Sequence, residues 1–93
     1  MAEYESDLLH LKNLGAASVN ILRAVGIGSA AELRSVGAVE AYRRIKRRGI
    51  SVSKVMLYAL EGALIDMHWK DLDPSLKKRL VLESERAQPE ETT

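Results

Sequence analysis

The chain contains no cysteine and no phenylalanine, only two prolines and a single tryptophan. Without a thiol there is no disulfide framework, no thiolate metal site and no cysteine nucleophile. Nothing therefore points to an oxidising compartment, and a cytoplasmic setting is expected. One Trp and three Tyr are the whole aromatic complement, which leaves the interior to Leu, Ile, Val, Met and Ala, residues that suit packed helices. An excess of one charge is also missing. The 14 Lys and Arg stand against 13 Asp and Glu, a global balance that argues neither for nor against an anionic partner. No apolar run approaches the roughly 20 residues needed to cross a bilayer. The longest, Val55 to Leu60, stops at Glu61, so no membrane partner is expected. Glu3, Glu5 and Asp7 occupy the place where a secretory leader would be basic, which argues against export.

What is present is one small domain's worth of chain. Ninety-three residues, 46% of them hydrophobic and 29% charged, lie near the globular average and can support a single core. Residues 1–6 and 84–93 lack apolar periodicity and are expected to be flexible tails around a domain over 7–83. Leu8, Leu9 and Leu11 suggest a short helical turn capped by Ser6, ending at the Asn13-Leu14-Gly15 turn. A helix is expected over Ala16 to Val25, with Ile21, Leu22 and Val25 on one face and Gly26 as its terminator. Ser29 and Glu32 have capping-box spacing and start a second helix that stops at Gly37. Ala38, Ala41, Tyr42 and Ile45 follow the i, i+3, i+4, i+7 rule for a third helix between Gly37 and Gly49, whose other face is basic. Asp73 as N-cap and Pro74 at the first helical position open a last helix, docked by Leu76 and Leu80.

Between these, Val52 to Met67 reads as the longest helix. Ten of the fourteen residues from Val52 to Ile65 are apolar, too many for one buried stripe, so this helix is either central or shared with another chain. Ser53, Lys54 and Glu61 share one third of its circumference with Leu57 and Leu64. These two leucines, with Tyr58, are the candidate residues of a homodimer or partner interface. No alternating run suggests a strand. The expected fold is all-α: five helices in a helix-hairpin-helix-like arrangement, with Gly15, Gly26, Gly37 and Gly49 at turns or helix ends.

Several segments in order carry a resemblance to a known family. They are Asn13-Leu14-Gly15 with Ser18, Val25-Gly26-Ile27, Ala31-Glu32-Leu33-Arg34, Val36 through Arg43, Leu57 through Leu64, and finally Trp69 and Leu72. Together they resemble the C-terminal domain of the TfoX/Sxy competence regulators over about Leu8 to Leu82. Members with both parts carry a further N-terminal domain for which this chain leaves no room, so functions located there are not expected of it. The resemblance implies a helical fold related to helix-hairpin-helix domains. It also implies a non-catalytic role in the transcription of DNA-uptake genes.

Two nucleic-acid candidates follow. Leu11 to Ser18 resembles the hairpin of helix-hairpin-helix proteins and the Asn-Leu-Gly segment in the C-terminal domain of the RNA polymerase α subunit. In those families a glycine-rich turn runs into a helix N-terminus that can hold a phosphate. Asn13, Gly15 and Ser18 match that pattern, but Ala16 and Ala17 stand where a Lys usually reaches the phosphate. The alternative is a structural turn that holds Leu14 in the core. The second candidate is Arg43, Arg44, Lys46, Arg47 and Arg48, five cations in six residues, on an exposed face that could follow a DNA backbone. Equally, Glu40 can pair with Arg43 and Arg44 while the later cations complement the helix dipole.

Catalysis finds little support. His10 and His68 are the only imidazoles, and no nucleophile, base and orienting residue can be assembled around them. Asp66, Asp71 and Asp73 lack the glycine and terminal Glu of a calcium loop. Gly26-Ile27-Gly28 lacks the preceding strand of a dinucleotide site. Trp69 and Tyr58 are expected in the core. No enzymatic activity, metal, cofactor or small-molecule substrate is expected. A protein partner or a second copy is favoured, with DNA as the alternative.

Overall fold

The computed structural model describes residues 7–86, and among them every regular element is helical. A 3₁₀ turn at Asp7–His10 leads to α1 (Ala16–Ala24), α2 (Ala30–Val36), α3 (Ala38–Arg47) and α4 (Lys54–Leu64). A second 3₁₀ turn at Trp69–Asp71 precedes α5 (Pro74–Glu85). The all-α expectation holds, with five α-helices and no strand among the described residues. The expected Ser6 cap lies outside the described residues.

α3 sits at the centre and touches all four other helices. Its sequence explains why. Ala38, Ala41, Tyr42 and Ile45 recur at helical spacing and are all buried, and two small alanines let neighbouring helices approach closely. Around them Leu8, Leu14, Leu22, Ile27, Leu33, Leu57 and Leu60 complete one continuous core. Fully burying a Leu is worth about 1.5–3 kcal/mol. Leu8 has no exposed surface, so its burial can fasten a 3₁₀ turn too short to persist alone.

Helix ends follow local chemistry with two corrections. α2 begins on the expected capping box: Ser29 Oγ accepts from the Glu32 N–H at 3.1 Å, and Glu32 Oε1 accepts from the Gly28 N–H at 2.7 Å. Gly37 ends α2 and opens α3 at φ 86°, a value that side chains rarely adopt. α4, however, is shorter than the apolar pattern suggested, and α5 with 12 residues is the longest helix. Ser53 lies before α4 as its N-cap, its hydroxyl accepting from the Val55 N–H. The other end closes because Asp66 turns left-handed at φ 58° and the Met67 N–H reaches back to the Gly62 carbonyl at 2.8 Å. α5 starts at Pro74, but Asp73 makes no side-chain capping bond, and the helix runs through Ser84 and Glu85.

Leu57 brings a further correction. Expected on a less covered side, it is completely buried, and Leu64 is half-buried against the core. α4 is apolar nearly all round because α3, α5 and the second 3₁₀ turn surround it within one chain.

The turn before α1 locks this arrangement. Asn13, itself left-handed at φ 73°, donates from Nδ2 to the carbonyls of Met67 at 3.0 Å and Ala59 at 3.3 Å. Its Oδ1 accepts from the Trp69 N–H at 3.1 Å. A Cβ on Gly62 would lie 2.5 Å from Asn13 Nδ2 and closer still to the Met67 carbonyl oxygen. Hence Gly62→Ala should destabilise the domain by about 2–3 kcal/mol, an overpacking cost against backbone that cannot move aside. Asn13→Ala should lose a similar ~2–3 kcal/mol through its three hydrogen bonds. Gly15→Ala, which meets nothing within 4 Å, should cost less than about 1 kcal/mol. Urea unfolding followed by circular dichroism measures all three.

Candidate functional site

The hairpin residues come together, but not as an open phosphate cradle. Both polar atoms of the Asn13 amide are spent on Ala59, Met67 and Trp69, so its side chain is a structural clamp. Leu14 is buried, which satisfies the structural alternative for this turn. Gly15 opens α1 with no side-chain cap, and Ser18 is half-buried. Ser18 lines an open cleft whose walls are largely apolar: Val52, Val55, Met56, Ala59 and Trp69.

The basic helix divides its cations among three tasks. Glu40 accepts from Arg47 at 2.9 Å and from Arg44 at 3.2 Å. Partial burial pushes the Glu40 carboxyl up, but the hydrogen bonds and charges of the two arginines outweigh that and hold it below its usual range. Arg43 corrects the expectation of an exposed face. It is half-buried, and its guanidinium donates to the carbonyls of Glu83, Ser84 and Arg86 at the end of α5. The Ser84 and Arg86 carbonyls lie where a helix end leaves such groups without internal partners, while the Glu83 carbonyl also accepts from the Arg86 N–H at 3.3 Å. Lys46 is exposed and lies 5.8 Å from the Tyr42 ring centre, while Arg48 is exposed at the end of α3.

A third group was not anticipated as a unit. Trp69, expected in the core, is half-buried at the surface. It stacks on Tyr58 with ring centres 6.4 Å apart, and His68 also stacks on it at 6.2 Å. Lys77 from α5 lies 5.6 Å from both the Tyr58 and the Trp69 rings. Each such contact at a partly exposed site is worth about 0.5–1 kcal/mol. His68 Nδ1 accepts from the Lys70 N–H at 3.2 Å, which fixes the turn. Tyr58, Leu57 and Leu64 therefore do not form one open patch: one is stacked, one buried and one half-buried. Among the described residues, the most exposed large apolar side chains are Leu9, Val55, Ile65, Met67 and Leu82. No described helix is long and apolar enough to cross a membrane.

Because the folded Glu40 carboxyl is depressed, its contribution is complete above the unfolded value of 4.5 and fades as the pH falls through the lower folded value. Glu40→Gln should therefore reduce stability at neutral pH, by about 0.5–1 kcal/mol given the solvent screening of these pairs. The gap from the parent should close as the pH drops below 4.5. Parallel urea titrations at neutral and acid pH measure it.

Among proteins of curated function, none matches the chain. A crystal structure of an uncharacterized protein from Listeria monocytogenes, triclinic form, is similar at 39% identity and a TM-score of 0.75. The match covers 80% of this chain and 84% of that one. A tetragonal form of a protein of unknown function from the same organism is similar at 37% identity and a TM-score of 0.76, covering 81% and 93% of the two chains. The family model of the TfoX C-terminal domain matches residues 4–84, a span that holds the Asn13 clamp, the basic helix and the ring cluster. On that match, the chain belongs to the TfoX C-terminal domain family.

Proposed function

We propose that this domain is a non-catalytic regulatory module that acts in transcriptional control through contacts with a protein partner. The observation that carries the reading is the pairing of Trp69 and Tyr58 beside the cleft of Val52, Val55, Met56 and Ala59. A half-exposed Trp next to an apolar depression is the chemistry of an interface anchor, since Trp, Tyr and Arg supply most binding hot spots. Lysines around the rings add a polar rim.

The residues that favoured DNA are largely committed elsewhere. Asn13 is used up inside the fold, Arg44 and Arg47 hold Glu40, and Arg43 holds the end of α5. A duplex contact through these residues would have to break their pairs first, which leaves Lys46 and Arg48 as the cations of this run outside such pairs. Catalysis is disfavoured on similar grounds. His10 and His68 are exposed, and the Nδ1 of His68 is occupied by a backbone N–H. A cysteine-free domain of this kind fits a cytoplasmic setting.

Fluorescence anisotropy with labelled duplex DNA should give no saturable binding at low ionic strength, where phosphate contacts are strongest. A Trp69→Ala variant that keeps the parent's helical signal should alter transcription of DNA-uptake genes to the extent that deletion of the gene does. A folded Trp69→Ala variant with the parent's transcript profile would overturn the reading. Salt-sensitive duplex binding would transfer the function to DNA.

A further inference from the structure

A second surface is independent of the Trp69 cleft. Between α3, the start of α4 and the end of α5 lies an open cleft of about 350 Å³ whose lining includes Arg43, Lys46, Arg47, Lys54, Glu85 and Arg86. We infer that this cleft binds the doubly charged phosphoryl group of a small phosphate monoester.

Charge is the first argument. Arg47 is matched by Glu40, but Lys46, Lys54 and Arg86 form no ion pair among the described residues. The single acid in the lining is Glu85. With Arg43 and Arg47 also in the lining, five cations face one carboxylate, and the described residues leave a clear positive excess even after Glu40 is set against Arg47. A phosphate monoester carries about −1.5 to −2 at neutral pH and is drawn to that excess.

The end of α5 would ordinarily repel an anion, because the last carbonyls of a helix carry its negative pole. Here the Arg43 guanidinium covers the carbonyls of Glu83, Ser84 and Arg86. It thereby sets a full positive charge over the negative pole, so that this helix end no longer repels an anion. Arg43 is a positioning residue, and Lys46 and Lys54 are the flexible point charges that can close on phosphoryl oxygens. Tyr42, 8% exposed, backs Lys46 with its ring.

Size selects a small ligand over a duplex. Ligand pockets run from about 300 to 1,000 Å³, and this cleft lies near the lower limit. A duplex backbone needs phosphates spaced along an extended surface, whereas the neighbouring cations Arg44 and Arg47 on α3 are turned to Glu40.

The test is a heteronuclear NMR titration of the full chain with glycerol 3-phosphate. Malonate, sodium chloride and a short duplex DNA serve as parallel arms. Saturable shifts confined to the amides of Lys46, Lys54, Glu85, Arg86 and their neighbours are expected. Lys46→Gln and Lys54→Gln, both surface changes that leave the core intact, should each weaken binding by about tenfold, as loss of one charge-assisted hydrogen bond implies. Lys78→Gln, on the exposed part of α5, should leave it unchanged. Linear shifts spread over all basic residues, or the same shifts with chloride, would overturn the site. Malonate binding as tightly as the phosphate ester would overturn its phosphoryl character. Duplex DNA binding there without competition from glycerol 3-phosphate would overturn the small-ligand assignment.

Discussion

Helices of seven to twelve residues have an unfavourable ratio of ends to middle, and the whole structure depends on how those ends are satisfied. Each α-helix leaves its first N–H groups and last carbonyls without internal partners. In helices this short the unpaired groups are a large share of the backbone, and isolated segments of such length are marginal in water. Three side chains from distant parts of the chain answer the problem. Asp7 accepts from the Ala30 N–H at 2.8 Å and holds the start of α2. Asn13 bridges the carbonyl of Ala59 within α4, the carbonyl of Met67 just beyond it and the first N–H of the Trp69 turn. Arg43 collects the last carbonyls of α5.

These fastenings redistribute the apparent functional residues. Asn13 and Arg43 stood out in the sequence as nucleic-acid candidates because amides and guanidiniums are typical phosphate ligands. Inside the fold the same donors meet backbone carbonyls, which present the same kind of acceptor oxygen. What remains for partners is the complement: the Trp69 and Tyr58 rings with their apolar cleft, and the cations that no carboxylate neutralises.

The sequence was most legible where one helix decides its own boundaries. Ser29 with Glu32, the stripe of Ala38, Ala41, Tyr42 and Ile45, and the terminating Gly26 and Gly49 all act within a few residues, and all were readable. It was least legible where the decision is made by a distant neighbour. The apolar run continues past Leu64, but a left-handed Asp66 and the Asn13 amide stop the helix there. Leu57 shares a helical face with polar residues, yet what covers that face is another part of the chain. Asp7 and Lys77 offered no local signal, since their partners Ala30, Tyr58 and Trp69 lie far away in sequence.

Long-range fastening also bears on how the chain reaches its fold. All-helical domains of this size usually rely on local contacts and fold quickly. Here the Asn13 bonds span 46 to 56 residues and the Arg43 bonds span 40 to 43. Helices α2, α4 and α5 can each begin to wind alone, but their ends are secured only after those loops have closed. Loop closure costs entropy before the hydrogen bonds that reward it can form. The rate-limiting ensemble should therefore already hold Asn13 beside the end of α4, giving this helical protein the slower kinetics associated with chains that must first bring their distant parts together.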